Sequence, residues 1–272
     1  MKDVTIVMND FITIKLEGDI PILATAIHSG HSLSENHAQR FALNESDQLR
    51  EEDPYTCIWT GITQNRIVAH HSRFEFDLNR SPEKAIYLVP SDAWGLRVWN
   101  TKPSAKMLSK SQKTYQDIYL NFHVAISELV NKFGTLAVFD LHSYNHRRNG
   151  QDAPPEDPTL NPEINVGTGT MDRSYWGSLV DRFISDLKGF DFRGRHLDVR
   201  ENIKFKGGYF PHWIHENFSQ SVCCLSIEVK KFFMDEWTGD PNYSIINSIN
   251  RALKSTIPGV LEELSRKKNN HE

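Results

Sequence analysis

Two short apolar runs in this chain each end in a histidine: PILATAIHSG at residues 21–30 and TLAVFDLHSY at residues 135–144. Each reads as a buried strand that delivers a polar loop at its carboxyl end. Open α/β sheets place their ligand crevices at such strand ends. The second run follows a long amphipathic segment. Tyr115, Ile118, Tyr119, Phe122, Ile126, Leu129, Val130 and Phe133 recur at steps of three and four, forming one apolar stripe. A helix is therefore expected from about Ser111, stopped at Gly134. Helix followed directly by strand is the repeating unit of an α/β fold.

Other segments fit that frame. RIVAH at 66–70 and SVCCLSIEVKK at 221–231 are strand candidates, and Arg173 to Leu187 and Asn242 to Lys267 are helix candidates, the latter with a break near Pro258. Residues 31–56 are polar, acid-rich and interrupted by Pro54. Residues 90–105 read as loop, with Trp94 and Trp99 as core or pocket wall. Residues 149–172 hold so much Pro, Gly, Asn and Asp that a long irregular segment is expected, and such loops are often functional. With no repeat, low-complexity tract or linker, one domain is expected over residues 1–272.

Composition excludes several classes. The 31 Lys and Arg against 35 Asp and Glu leave a formal charge of -4, so no broad basic field exists for nucleic acid or an anionic membrane. A local basic site for a small acid stays open. No stretch approaches the roughly 20 apolar residues that span a bilayer. The N-terminus alternates apolar and polar residues and carries acids, unlike a signal peptide. Cys57, Cys223 and Cys224 are odd in number and two are adjacent, so a reduced, cytoplasmic chain without a disulfide framework is expected.

The two strand-end histidines, His28 and His142, need only a carboxylate to make the three-ligand set of a catalytic zinc site. Glu51-Glu52-Asp53 supplies candidates. Asp140 precedes His142 by two residues and shares its strand face, placed to orient the imidazole. No HExxH pattern is present, so spacing alone leaves a structural role open for each histidine. Arg73 and Asp77-Leu78-Asn79-Arg80 add two guanidiniums and an amide, suited to bidentate capture of a carboxylate or to polarising a carbonyl; a surface Asp–Arg pair is the bland alternative. Glu228 lies opposite the apolar face made by Leu225, Ile227 and Val229, and pairing with Lys230 or Lys231 in solvent is its plain alternative. His70-His71 point to opposite faces of a strand and do not chelate easily. His212 and His215 could line a pocket or pack around aromatics, Cys223-Cys224 reads as core, and no G-x-S-x-G elbow surrounds Ser29 or Ser143.

HSG at 28–30, SRFEFDLNR at 72–80 and DLHSYNHR at 140–147 together resemble the N-formylglutamate amidohydrolase family. More distantly they resemble zinc carboxypeptidases, aspartoacylase and succinylglutamate desuccinylase. The strand LSIEVKK around Glu228 extends the match over most of the chain. The resemblance implies a single α/β domain with a mixed, mostly parallel sheet and helices on both faces. It implies one zinc ion per chain, held by His28, His142 and a carboxylate. Members with an HxxE motif carry Glu three residues after the first histidine, where this chain has His31. Asp53 in REEDPYT matches best, with Glu52 as alternative and His31 third. Glu228 is then the general base and acid, and Arg73 polarises the scissile carbonyl. Asn79 and Arg80 hold the α-carboxylate of the substrate, Asp77 orients the arginines, and His146, Arg147 and Arg148 grip a side-chain carboxylate. The implied reaction is hydrolysis of N-formyl-L-glutamate, or of a close acidic N-acyl amino acid, in histidine breakdown, by a monomer or homodimer. A desuccinylase-like or carboxypeptidase-like hydrolase and a non-catalytic binder of an acidic ligand through Arg73 and Arg80 are the alternatives.

Overall fold

The structure, a computed structural model, describes residues 4–8 and 10–269, so part of the N-terminal reading, and the ends of the expected domain, lie outside the described residues. Its strands are β1 (Val4–Met8), β2 (Ile12–Leu16), β3 (Ile22–Ala26), β4 (Asn65–Ala69), β5 (Leu136–Tyr144), β6 (Ile164–Gly167), β7 (Val199–Glu201) and β8 (Val222–Lys230). They form one sheet in the order β1-β2-β4-β3-β5-β8-β6-β7. The neighbours β4-β3-β5-β8 at its centre run parallel, as do β6 and β7, while β1-β2, β2-β4 and β6-β8 are antiparallel. The sheet is thus mixed and mostly parallel. The helices are α1 (Glu35–Ala38), α2 (Glu45–Glu51), α3 (Thr56–Trp59), α4 (Ala105–Phe133), α5 (Arg173–Gly189), α6 (Tyr209–Phe218), α7 (Tyr243–Ser255) and α8 (Ile257–Asn269).

All nine residues of β5 are buried, so both of its faces must be covered. Alternation decides which cover each residue meets. Ala137, Phe139 and Leu141 join a cluster with Trp176 and Phe183 of α5, Ile246 and Leu253 of α7 and Val260 of α8. Leu136 and Val138 join a second cluster with Tyr115, Phe122 and Ile126 of α4 and Phe210 of α6. Burying a side chain of this size contributes about 1.5–3 kcal/mol, so these stripes fix which face each helix covers. The same alternation runs through β8: Cys223, Leu225, Ile227 and Val229 face the first cluster, Val222 and Cys224 the second. Cys223 and Cys224 are therefore core residues.

Several boundaries differ from expectation. The long helix begins at Ala105 rather than near Ser111, because the Ser104 side chain accepts a hydrogen bond from the Met107 amide and caps six further residues, none of them buried. Gly134, at φ 85°, ends it as expected. The closing segment breaks at Thr256, between α7 and α8, with Pro258 in the first turn of the second helix. Residues 31–56, polar, acid-rich and interrupted by Pro54, hold α1 and α2. Residues 149–172 are not wholly irregular: β6 lies inside them, its four residues too few to show a period.

Candidate active site

The parallel strands β3, β5 and β8 end side by side, and their polar ends build one cavity. β5 carries Asp140 and His142 on the face of Leu136 and Val138, and β8 carries Ser226 and Glu228 on the same face. The register pairs Asp140 with Ser226 and His142 with Glu228. Thr25 of β3, paired with Asp140, donates its hydroxyl to Asp140 Oδ1 at 2.8 Å. His28 lies two residues beyond β3. Asp53 follows α2 in a reversal completed by Tyr55 at φ 67°, and its amide donates to the His28 carbonyl at 3.0 Å. The chain is thereby tied so that the Asp53 carboxylate enters between the histidines.

His28, Asp53 and His142 are all buried, and one donor atom from each lies within 4.8 Å of the others. Asp53 Oδ2 is 2.9 Å from His142 Nδ1 and 3.4 Å from His28 Nδ1. The outer nitrogens are spoken for: His142 Nε2 lies 3.0 Å from Asp140 Oδ2, and His28 Nε2 lies 2.6 Å from Asp77 Oδ1. Each imidazole thus donates outward to a carboxylate and turns Nδ1 inward, the arrangement in which outer partners fix ring orientation and raise ligand basicity. Burial opposes charge on Asp53, but hydrogen bonds from His142 and His28 hold its carboxyl far below the usual range. Burial likewise opposes a charged His142, yet Asp140 beside it raises its pKa well above the ordinary value. Two imidazole nitrogens and an ionised carboxylate, converging and buried, suit a zinc ion.

Glu52 and His31 do not join this group. Glu52 accepts from Gln48 Nε2 at 2.9 Å and from Ser72, and its other oxygen lies 2.6 Å from His31 Nδ1. Lys231, buried, donates to the carbonyls of Arg50 and Glu52 at 2.5 and 2.8 Å and so braces the chain before Asp53. Lys230 donates to the Asn161 carbonyl. Glu228 is therefore paired with neither lysine, and among the described residues its carboxylate has no hydrogen-bond partner. Burial pushes it up to about 8, with His142 pulling the other way and Asp53 and Asp140 adding to the rise.

Asp77 is the other anchor. Its Oδ2 accepts from Arg73 Nη2 at 2.7 Å and Nε at 3.2 Å and from the Tyr87 hydroxyl, while Oδ1 accepts from the Asn79 amide at 2.7 Å and faces His28. Burial works against the Asp77 charge, and Arg73 and His28 outweigh it, holding the carboxyl well below its ordinary value. Arg73 lies under the Trp94 ring at 4.9 Å and lines the cavity. Asn79 also lines it, with Oδ1 accepting from the Phe210 amide at 3.0 Å.

The cavity measures about 330 Å³. Besides the groups above, Arg50, Glu51, Asn145, Arg148, Lys204, Lys206 and Lys231 line it. Arg80 falls outside the lining: it stacks on Tyr87 at 4.4 Å, 3.7 Å from Asp77. His146 and Arg147 also turn away. His146 Nδ1 lies 2.6 Å from Glu236 Oε1, both backbone amides donate to that oxygen, and Arg147 Nη2 donates to the Gln151 carbonyl. Sequence reasoning overlooked Arg50, Asn145, Lys206 and Lys231 as lining. Arg50 borders the acidic triplet and Lys231 follows the Glu228 strand, so adjacency to the motifs was the available signal. His212 and His215 stand elsewhere, His215 half-buried and accepting from the Cys224 amide at 3.1 Å.

Sheet, strand-end imidazoles, facing carboxylate and guanidinium thus meet in one cavity at the ends of the parallel strands of an α/β fold. Residues 20–234 match the sequence model of the N-formylglutamate amidohydrolase family, and the chain belongs to that family. Among solved structures, the fold is similar to N-formylglutamate amidohydrolase from Ralstonia eutropha JMP134, with 18% identity, TM-score 0.70, and 94% of this chain and 99% of that one covered. It is also similar to a gene product of Agrobacterium tumefaciens, with 13% identity, TM-score 0.61, and 92% and 96% covered. No curated protein sequence matches the chain. Among the described residues, no helix is long and apolar enough to cross a membrane.

Proposed function

We propose that this protein is a zinc-dependent amidohydrolase that releases the free amino acid from N-formyl-L-glutamate or a close acidic N-acyl amino acid. The observation that carries the reading is the buried His28, Asp53 and His142 cluster with unpartnered Glu228 one strand away. His28 and His142, through Nδ1, and Asp53, through its carboxylate, would hold the ion. When bound, zinc supplies Lewis acidity, lowering the pKa of water to about 7.

The chain's own groups do the rest. Glu228, ionised beside that cation, takes a proton from the attacking water and returns it to the departing amine. Arg73, locked by Asp77, presents its guanidinium to the scissile carbonyl, where negative charge develops. Asn79 offers its amide to the α-carboxylate. Cations outnumber acids in the lining, which favours an anionic substrate. A role in histidine breakdown goes with this substrate.

The test is formate release from N-formyl-L-glutamate by zinc-loaded protein beside a chelated sample. Metal-dependent turnover of about 1 s⁻¹ or faster supports the reading. Zinc bound without turnover moves the search to other N-acyl amino acids. Neither zinc nor turnover defeats the reading and leaves capture of an acidic ligand.

A further inference from the structure

We propose that Arg50 is the specificity residue of the cavity, its guanidinium receiving the distal carboxylate of an acidic amino-acid substrate. The proposal rests on the reading of the cavity as an N-acyl amino acid site. Arg50 stands in the last turn of α2 and lines the cavity, its side chain only 13% exposed. Its Cζ lies 3.9 Å over the Trp237 ring, a stacking that holds the guanidinium plane. Among the described residues, none of those donors has an acceptor. Nε is fully buried without a partner, and the nearest carboxylate oxygen, Glu51 Oε1, stands 3.9 Å from Nη1, beyond hydrogen-bond reach.

Buried donors in folded proteins are almost always satisfied, and an exception calls for an explanation. The other cations of the lining have one. Arg73 is committed to Asp77. Lys231 is spent on two carbonyls, and Lys204 donates to Glu156 at 3.0 Å and to Asn161. Arg148 reaches Glu51 Oε2 at 3.4 Å, and Asn145 donates to Glu51 Oε1 at 3.2 Å, so Glu51 is occupied without serving Arg50. Lys206 is exposed, where water serves it. Among the described cations of the lining, Arg50 alone combines a ring-stacked guanidinium, low exposure and donors without acceptors, and a planar fork of this kind matches a carboxylate in a bidentate pair. With Asn79 placed for the α-carboxylate, the group left for Arg50 is the one at the far end of the side chain.

The test compares binding of L-glutamate and L-glutamine by calorimetry, since the two differ only at the distal group and neither is turned over. The wild type is expected to favour L-glutamate by roughly 10- to 100-fold, the range of a charge-assisted pair. Arg50→Met, which keeps the apolar stem on Trp237, should bring the ratio to about 1 while binding of L-glutamine changes little. A wild type without preference, or a variant that keeps it, overturns the proposal. A merely structural role would weaken both ligands together and also overturns it. Should Arg50→Met not fold, Arg50→Gln repeats the measurement. If the wild type fails to hydrolyse N-formyl-L-glutamate yet shows the Arg50-dependent ratio, the enzymatic reading falls and the subsite stands.

Discussion

His142 and Glu228 are partners in the parallel register of β5 and β8, so an imidazole of the buried cluster and the one unpartnered carboxylate of the cavity share a rung of the sheet. Their distance is set by backbone pairing rather than by a loop. The proton transfer proposed for Glu228 needs that fixity, because misplacement on the order of 1 Å can cost about 10²-fold in rate.

Replacing Glu228 with Gln preserves shape and removes the proton carrier. Turnover is expected to fall by about 10²- to 10⁴-fold while zinc content stays at one per chain. Steady-state rates and metal analysis on the same preparation decide it, and near-wild-type turnover removes the proton-transfer role.

Adjacent acids should behave oppositely toward metal. Asp53→Asn takes the carboxylate from between the two Nδ1 atoms and is expected to lose zinc on dialysis. Glu52→Gln, whose side chain serves Gln48, Ser72 and His31, should keep it. Retention by the first variant and loss by the second would reverse the assignment.

Glu228 also gives a pH dependence in metal-free protein. Its proton is held to about 8 in the folded chain against 4.5 for an ordinary glutamate. Between these values the folded state binds more protons than the unfolded one, so stability falls as pH rises. The contribution is complete below about 4.5 and gone above about 8. Urea unfolding should show wild type losing ground to Glu228→Gln between pH 5 and 8.5. A gap that does not change with pH contradicts the raised carboxyl.

Gly208 bears on the substrate side. A Cβ there would meet Asn79 Oδ1 at 2.3 Å, and that oxygen is held by the Phe210 amide. Gly208→Ala should displace Asn79, cost about 1–3 kcal/mol in unfolding free energy and raise KM more than it lowers kcat. Unchanged KM would show that Asn79 does not hold substrate.

The strands and their histidines were legible because PILATAIHSG and TLAVFDLHSY are continuous apolar runs, and only a buried parallel strand suits such runs followed by polar ends. The α4 stripe was legible by a different signal, the recurrence of its apolar residues at steps of three and four. What stayed hidden depends on register and on short elements. Nothing in SVCCLSIEVKK states that Glu228 falls opposite His142, since pairing residues 86 positions apart is a tertiary fact. α2 has seven residues, fewer than two full turns, so the direction of Arg50 could not be read from periodicity. His146 and Arg147 pointed toward the site by proximity to His142, but buried Glu236, 90 residues on, draws both backbone amides and the imidazole away.

Asp77 is one buried counter-ion shared by His28, of the proposed metal cluster, and Arg73, of the proposed substrate contacts. A charge arriving at either one redistributes the pull on the other. On the proposed reading, metal loading and capture of an anionic ligand are thermodynamically linked, each changing the affinity of the other by the same factor. A cavity loaded in that way would read two occupancies at once, with the carboxylate of a single aspartate as the point where they are compared.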